Sequence, residues 1–334
     1  MPSEWKNISV LGDGAMGTVC ALILADAGFD VTLWSNFPEQ AADLQQHREN
    51  RRFLAGFKFP ANISVTADPA VALAKPDLIV SAIPCQFIRS VWKKLASFHR
   101  APTPVVAVSK GIEVETLMVS TQIIESVLDA RTPVAALSGP SIAPELAAKK
   151  PCTVVAAAAD AELATRIQRA FSNDYFRVYT NDDVIGVEIS GATKNVIALA
   201  AGIIDGIDAG CNAKAALLTR GVVEIARLGE ALGAKASTFS GLAGVGDLVT
   251  TCISPVGRNR SAGEKIGRGM TAKEAIADTT SVIEGIATTH AVLKLAEKHG
   301  VDMPITRAVA AVLDQTASPR EAISALMTRE LTNE

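Results

Sequence analysis

The stretch Gly12-Asp13-Gly14-Ala15-Met16-Gly17 follows a short apolar run, Ile8–Leu11, and opens an apolar helical segment, Ala15–Ala27. Its glycines match the pattern G-x-G-x-x-G, which combines a tight turn, a close backbone approach to pyrophosphate and close helix–strand packing. The start of the helix also directs free N–H groups and a positive dipole end at the phosphates. The sequence therefore predicts a dinucleotide-binding βαβ unit. Asp13 is compatible with it only if its side chain points away from the pyrophosphate.

The end of the second predicted strand reads Leu33-Trp34-Ser35-Asn36. A site specific for NAD usually carries Asp or Glu about 20 residues after the glycines, to bind the ribose 2′-hydroxyl, whereas an Arg accommodates the 2′-phosphate of NADP. Neither type of residue is present here. Ser35 and Asn36 can form hydrogen bonds with either group, so the sequence leaves the choice between NAD and NADP open.

Short apolar runs and helical stretches continue to alternate beyond the glycines. The further predicted strands are Val31–Trp34, Ile63–Thr66, Leu78–Ile83, Val105–Val108 and Val134–Leu137, and Val154–Ala157 and Arg177–Tyr179 extend the series. Helical stretches lie between most of them, for example Phe87–Ser97 and Leu117–Leu128. This alternation predicts an α/β fold, in which a Rossmann-type, doubly wound parallel sheet is covered by helices on both faces.

From about Asp183 onward, helical periods rich in Ala, Leu and Ile replace the strand signals. The predicted helices are Val184–Asp205, Ala213–Leu232, Ala272–Ala277, Val282–His299 and Ile305–Gln315. A chain of 334 residues commonly holds more than one domain. We therefore predict a dinucleotide-binding domain over residues 1–185 and an all-helical C-terminal domain, for substrate and catalysis, over residues 186–334.

Composition excludes several classes of protein. The net charge of −3 and the aromatic content of 4% predict no nucleic-acid partner. Five scattered cysteines and four histidines form no ligand cluster, so neither a metal site nor a disulfide framework is predicted. The N-terminal residues lack the parts of a signal peptide, and the apolar stretch Asn195–Ile204 is shorter than a membrane span. We therefore expect a cytoplasmic protein without stable membrane insertion.

Small and basic residues follow the predicted strands at the edge where ligands of open α/β sheets bind. Lys110 follows Val105–Val108, and Ser138–Ser141 follows Val134–Leu137. Lys110 could bind a phosphate or polarise a carbonyl group, and a solvated surface lysine is the alternative. The segment Ser81–Pro84 could let a dinucleotide cross the sheet edge or could be an ordinary turn before a helix.

Lys194 lies in a predicted helix that is otherwise almost wholly apolar. A lysine in such a place either reaches solvent along its aliphatic stem or is kept for chemistry, because desolvating its charge is costly. Burial lowers the pKa of a lysine side chain toward the range that suits general acid–base catalysis. Asp247 stands in an apolar, glycine-rich loop, and its carboxylate needs a cationic partner, for which Lys194 is the obvious candidate.

The run Gly257-Arg258-Asn259-Arg260 follows shortly after Asp247. A guanidinium group can hold a phosphate through two parallel hydrogen bonds, and the Asn amide adds a neutral donor. The alternative is a basic cluster on the surface.

In this order the motifs resemble those of the NAD(P)-dependent glycerol-3-phosphate dehydrogenases of the bacterial biosynthetic type. The resemblance covers nearly the full chain, and the string Thr193–Ala198 is its most specific part. It implies an oxidoreductase that reversibly reduces dihydroxyacetone phosphate to sn-glycerol 3-phosphate with NAD or NADP, and so supplies glycerophospholipid synthesis. A small phosphorylated substrate is the implied partner.

The resemblance also implies roles for individual residues. Lys194 corresponds to the catalytic acid/base, and Asp247 orients it. The implied substrate-binding residues are Lys110, Gly139, Ser141, Lys194, Asp247, Gly257, Arg258 and Asn259. The implied cofactor-binding residues are Gly12, Gly14, Ala15, Met16, Gly17, Asn36, Lys110, Ala143, Arg258, Val282 and Glu284.

Some positions depart from the commonest family pattern. Ala15 and Met16 stand where Ser and an aromatic residue are frequent, Asn36 lies where a basic residue is frequent, and Gly257 replaces a Ser. Two alternatives to the family reaction are a related β-hydroxyacid or sugar-phosphate dehydrogenase and a non-catalytic dinucleotide sensor. The helical half, with its many apolar faces, is also compatible with a homodimer.

Overall fold

The structure is a computed structural model that describes residues 5–279 and 281–330. The chain forms two compact units. The sheet unit comprises the described residues up to Lys110 together with Ser120–Val184, and the helical unit comprises Gly111–Val119 with the described residues from Ile185 onward. The division between residues 185 and 186 stays a prediction, and it differs from these units by the short segment Gly111–Val119 and by Ile185.

The sheet unit contains an eight-stranded sheet with the strand order β10-β9-β8-β7-β6-β1-β2-β5, and a separate antiparallel pair, β3-β4. The strands are β1 Asn7–Leu11, β2 Asp30–Trp34, β3 Glu49–Asn50, β4 Leu54–Lys58, β5 Ile63–Thr66, β6 Leu78–Ser81, β7 Val105–Ala107, β8 Val134–Ser138, β9 Cys152–Ala157 and β10 Phe176–Asn181. The strand order runs outward in both directions from β1, as in a doubly wound fold. The predicted Rossmann-type sheet is confirmed.

One strand pair departs from the predicted parallel sheet. Strand β9 runs antiparallel to β8, with Leu137 opposite Ala156, whereas β10 is again parallel to β9. The connection from β8 to β9 contains only the five-residue helix Ala143–Ala147. A parallel crossover normally needs a longer helical connection, so the short one is consistent with the reversed direction.

The described residues of the sheet unit contain seven α-helices: α1 Ala15–Asp26, α2 Pro38–His47, α3 Pro69–Ala72, α4 Ile88–Leu95, α5 Ser120–Glu125, α6 Ala143–Ala147 and α7 Ala161–Phe171. The predicted helix Leu117–Leu128 is too long at its start. Leu117 has a φ of 61°, and Val119 forms an antiparallel bridge with Ile112. A left-handed residue does not continue a right-handed helix, so α5 begins only at Ser120.

The described part of the helical unit contains nine helices and no regular strand. They are α8 Val184–Gly206, α9 Gly210–Ala231, α10 Ala236–Phe239, α11 Asp247–Ile253, α12 Arg258–Gly267, α13 Ala272–Ala277, α14 Glu284–Lys298, α15 Pro304–Leu313 and α16 Pro319–Met327. Its apolar core includes Leu199, Leu228 and Val292, each fully excluded from solvent. The prediction of an all-helical C-terminal part is confirmed.

Helix α8 is long and apolar enough to cross a membrane by length and composition alone. It has 23 residues and therefore exceeds the shorter stretch Asn195–Ile204 on which the sequence prediction rested. Its most apolar window is entirely buried inside the protein. This burial is typical of the core helix of a soluble protein.

Candidate active site

The glycine-rich turn between β1 and α1 leaves open space beside the backbone at the start of the helix. Gly12 has a φ of 111°, and a Cβ atom at Gly17 would lie 1.8 Å from the carbonyl oxygen of Gly12, so helix and turn pack too closely for any side chain there. A Cβ at Gly14 would meet nothing within 4 Å. No side chain caps the helix, which begins at Ala15. The turn therefore fits a pyrophosphate, which can approach the backbone at Gly14 and the free N–H groups of α1.

Asp13 turns its side chain toward the end of strand β2. Its Oδ2 accepts a hydrogen bond from Ser35 Oγ at 3.0 Å, and its carbonyl oxygen accepts one from Asn50 Nδ2 at 2.7 Å. Burial raises the pKa of the Asp13 carboxyl, while the Ser35 hydrogen bond and the charge of Arg52 oppose that rise. Ser35 is fully buried, whereas Asn36 is exposed.

Lys110 lies close to the loop that follows β8. Its Nζ donates to the carbonyl oxygen of Gly139 at 2.9 Å and to Ser141 Oγ at 3.2 Å. Gly139 has a φ of 135°, and a Cβ atom there would lie 3.0 Å from the Cα of Val154, so the loop has little room for a side chain. Three of the residues that the sequence proposed for substrate binding thus lie together in the sheet unit, and Lys110 is partly buried rather than extended into solvent.

The segment after β6 has a structural function of its own. Ser81 is fully buried and its Oγ accepts a hydrogen bond from Trp92 Nε1 at 3.1 Å. A single 3₁₀ turn, Cys85–Phe87, follows Pro84 and leads into α4. Farther along, Ala143 is the first residue of α6.

Lys194 and Asp247 form a buried ion pair inside the helical unit. Lys194 lies in the middle of α8, Asp247 is the first residue of α11, and Lys194 Nζ is 2.5 Å from Asp247 Oδ1. Only 6% of Lys194 and 1% of Asp247 are exposed. A π-helical turn, Leu242–Gly246, directly precedes Asp247, and a Cβ atom at Gly244 in this turn would lie 2.0 Å from a backbone oxygen. The predicted pairing of the two charges is present.

Thr251 also belongs to this group, and it was not among the site residues predicted from the sequence. Lys194 Nζ donates to Thr251 Oγ1 at 2.5 Å, and Thr251 Oγ1 donates to the carbonyl oxygen of Asp247 at 2.7 Å. A signal was available, since Thr251 follows Asp247 by four residues and therefore shares one face of a helix with it.

Helix α12 begins at Arg258 with Gly257 as its N-cap, and no side chain caps it. Arg258 is exposed, and its Nη1 donates to the carbonyl oxygen of Val282 at 3.3 Å. Arg260 points elsewhere, to Asp205, with 2.6 Å between Nη2 and Oδ2. The two arginines of the predicted basic run therefore point to different partners. Of the two, Arg258 is the one that is exposed at the start of the helix.

Asn259 connects three helices. Its Nδ2 donates to Asn195 Oδ1 on α8 at 2.8 Å, and its Oδ1 accepts from the backbone N–H of Gly285 on α14 at 2.9 Å. A Cβ atom at Gly285 would lie 2.9 Å from Asn259 Oδ1. Asn195, next to Lys194, is thereby held at a fixed position relative to Glu284, the first residue of α14.

A Rossmann-type sheet unit with an open glycine turn, together with a helical unit that buries a lysine–carboxylate pair, defines the class of dinucleotide-dependent dehydrogenases. Residues 7–164 match the family model of the NAD-dependent glycerol-3-phosphate dehydrogenase N-terminus, and residues 183–324 match that of its C-terminus. The chain belongs to the NAD-dependent glycerol-3-phosphate dehydrogenase family.

Individual relatives agree with this assignment. The chain is 46% identical to the glycerol-3-phosphate dehydrogenase (NAD(P)+) of Citrifermentans bemidjiense, over 98% of each chain. It is 47% identical to the enzyme of the same name from Geobacter metallireducens, over 97% of this chain and 98% of the relative. The crystal structure of glycerol-3-phosphate dehydrogenase from Coxiella burnetii matches with a TM-score of 0.94 and 36% identity, over 97% of this chain and 99% of that one.

Proposed function

We propose that this protein catalyses the reversible, NAD(P)H-dependent reduction of dihydroxyacetone phosphate to sn-glycerol 3-phosphate. The observation that carries the proposal is the buried pair of Lys194 and Asp247 in a chain of this family. A buried ion pair in itself contributes little to stability, because desolvation offsets the attraction between the charges. Its retention in the core of the helical unit is therefore explained best by chemistry.

Lys194 is the proposed catalytic acid. The cofactor, when bound, supplies a hydride to the carbonyl carbon of the substrate. The Lys194 ammonium group gives a proton to the carbonyl oxygen, and the neutral amine takes it back in the reverse direction. Asp247 and Thr251 hold the lysine Nζ in position through the contacts at 2.5 Å that each makes with it.

The start of α12 is the proposed site for the substrate phosphate. Its free N–H groups after Gly257 and the guanidinium group of Arg258 provide donors and positive charge. Asn259 is the third proposed ligand from this helix. Lys110, Gly139 and Ser141 are the further proposed substrate ligands.

The cofactor is proposed to bind at the glycine turn of the sheet unit, with its pyrophosphate at the start of α1. The proposed ligands are Gly12, Gly14, Ala15, Met16, Gly17, Asn36, Lys110, Ala143, Arg258, Val282 and Glu284. The open space at Gly14 and the uncapped start of α1 support the first five of them.

The cellular setting is proposed from the family and the composition together. We propose that the enzyme is cytoplasmic, that it supplies glycerophospholipid synthesis and that it acts as a homodimer. The burial of the most apolar window of α8 inside the protein supports a protein that is not inserted in a membrane.

Loss of NADH or NADPH absorbance with dihydroxyacetone phosphate tests the proposal. We expect wild-type turnover, and we expect Lys194→Ala to reduce kcat by about a hundredfold or more, the scale of a lost acid catalyst. Lys298→Ala, which removes an exposed lysine from the end of α14, is the control and should leave kcat unchanged. A wild-type protein that binds a dinucleotide but does not reduce this substrate would contradict the proposal. A panel of β-hydroxyacids and sugar phosphates would then distinguish a related dehydrogenase from a non-catalytic sensor.

A further inference from the structure

We propose that Asp13 is a specificity-determining residue, whose carboxylate binds the ribose 2′-hydroxyl of NAD(H) and repels the 2′-phosphate of NADP(H). This inference rests on the proposed function, because it assumes that a dinucleotide binds at the glycine turn. It concerns which of the two nicotinamide cofactors the protein prefers.

Strand β2 and the two residues after it supply no acidic side chain for the ribose. In NAD-specific folds of this type, an Asp or Glu near the end of the second strand binds the ribose 2′-hydroxyl. Here that strand ends at Trp34, and Ser35 and Asn36 follow it. Ser35 Oγ donates to Asp13 Oδ2 at 3.0 Å. The glycine turn itself therefore places a carboxylate beside the end of β2.

The Asp13 side chain is held firmly in that place. Asp13 is only 8% exposed. The Ser35 hydroxyl that donates to Asp13 is itself held in place, because it accepts a hydrogen bond from the backbone N–H of Phe37 at 3.1 Å. Asn50 fixes the turn from the other side, since its Nδ2 bridges the Asp13 carbonyl oxygen and Thr18 Oγ1 at 2.7 Å each. A fixed carboxylate discriminates well, because it cannot move aside to admit a phosphate.

The nearby arginines also bear on the choice. Arg51 forms an ion pair with Asp43, and Arg48 Nη2 donates to the carbonyl oxygen of Pro60 at 2.6 Å. Arg52 is the cation whose charge acts on Asp13, and its guanidinium group lies over the Phe53 ring, 4.9 Å from the centroid. A 2′-phosphate at the end of β2 would lie beside the Asp13 carboxylate, which is held in place and carries charge of the same sign. The repulsion between the two groups disfavours NADPH even with Arg52 nearby.

Equilibrium binding of NADH and NADPH to the full-length protein, without substrate, tests the inference. The change in nicotinamide fluorescence or the heat of titration gives the two dissociation constants. We expect wild type to bind NADH at least about tenfold more tightly than NADPH, the effect of one hydrogen bond to a charged group. In Asp13→Asn, which keeps the size of the side chain, we expect NADPH binding to tighten and the preference to disappear.

Three further proteins make the result specific. Asp13→Ser shortens the side chain and should also lose the preference, so the test does not depend on the folding of one variant. Asp174→Asn removes one negative charge just before β10, at the opposite edge of the sheet, and should retain the wild-type ratio. Arg52→Gln should leave NADPH binding weak.

Each contrary outcome has a distinct meaning. Equal binding of both dinucleotides by wild type, or an unchanged ratio in both Asp13 variants, overturns the inference and leaves the proposed function intact. Tighter binding of NADPH that is lost in Arg52→Gln also overturns it, since the arginine would then select the cofactor. Binding of neither dinucleotide overturns the proposed function and the inference together.

Discussion

Lys194 and Asp247 lie on different helices of the helical unit, and Lys194 Nζ is 2.5 Å from Asp247 Oδ1. Both residues are almost fully buried, so removal of one partner takes the opposite charge away from the other in a poorly solvating environment. We expect Asp247→Ala to lower the free energy of unfolding by about 3–5 kcal/mol, as well as to abolish turnover. Unfolding in urea, followed by circular dichroism, measures the change.

The double variant Lys194→Met with Asp247→Leu is the control for this prediction. It replaces both charges by apolar side chains, so it should recover most of the lost stability while remaining inactive. If the double variant were no more stable than Asp247→Ala, the loss of stability could not be attributed to the broken ion pair.

Helices α8 and α12 pack backbone against backbone through glycines. A Cβ atom at Gly202 would lie 2.0 Å from the carbonyl oxygen of Arg260, and one at Gly263 would lie 2.1 Å from that of Leu199. Alanine favours helix by about 1 kcal/mol over glycine. We nevertheless expect Gly202→Ala and Gly263→Ala to lower the free energy of unfolding by about 1–3 kcal/mol each, because backbone atoms cannot yield to the added methyl group.

Gly221→Ala on α9 is the matched control for the glycine variants. A Cβ atom there would meet only side-chain carbons of Ile197, at 3.0–3.2 Å, and these can adjust. Its cost should be clearly smaller in the same urea experiment. An equal loss at all three positions would show that the close helix approach is not the cause.

Glu224 on α9 caps the start of α15 from outside that helix. Its carboxylate accepts hydrogen bonds from the backbone N–H groups of Ile305 and Thr306 at 2.8 Å each, and from Thr306 Oγ1 at 2.7 Å. Glu224→Ala leaves these donors without a partner in the core, so we expect the free energy of unfolding to fall by about 2–4 kcal/mol. Thermal and urea unfolding measure this. Glu230→Ala, at an exposed position of the same helix, should change it little.

The same carboxyl group should give stability a recognisable dependence on pH. Burial raises the pKa of Glu224 above its ordinary value of 4.5, although the hydrogen bonds from Ile305 and Thr306 and the charge of Arg227 oppose the rise. The folded protein therefore takes up this proton more readily than the unfolded chain. The resulting stabilisation is complete below pH 4.5 and is lost as the pH rises through the native pKa.

Comparison of wild type with Glu224→Gln isolates this group from the other carboxylates. We expect the free energy of unfolding of wild type, minus that of the variant, to decrease as the pH rises from about 4.5 toward neutrality. Urea unfolding at a series of pH values gives the difference. A difference that does not vary with pH would mean that folding leaves the pKa of Glu224 unchanged.

The sheet was predictable because most of its inner strands are buried on both faces, and such strands appear in a sequence as continuous apolar runs. The β3-β4 pair was not predicted, since the strand residues Glu49 and Leu54–Lys58 are largely polar or exposed and give no such run. The antiparallel direction of β9 was not predicted either. An apolar run such as Cys152–Ala157 is similar in either direction, and only its tertiary pairing determines which is adopted.

The candidate site, too, could be predicted from the sequence only in part. Lys194 stood out because a charge in an apolar helix is costly, and Asp247 followed as its natural partner. The contact of Ser35 with Asp13 spans 22 positions and that of Asn259 with Asn195 spans 64, and no periodicity connects residues so far apart. Such pairs become visible only once the helices and strands are in place.

Asn259 is proposed to bind the substrate phosphate, and it also holds three helices together. Kinetic and stability measurements on one variant distinguish these two roles. Asn259→Ala removes the hydrogen bonds to Asn195 and Gly285, so we expect the free energy of unfolding to fall by about 1–3 kcal/mol. If Asn259 also binds the substrate phosphate, KM for dihydroxyacetone phosphate should rise by about tenfold or more at saturating NADH. Steady-state kinetics and urea unfolding of one preparation measure both effects, with the exposed Asn212→Ala as control. A loss of stability with an unchanged KM would restrict Asn259 to holding the three helices together, and Arg258 would then carry the phosphate without it.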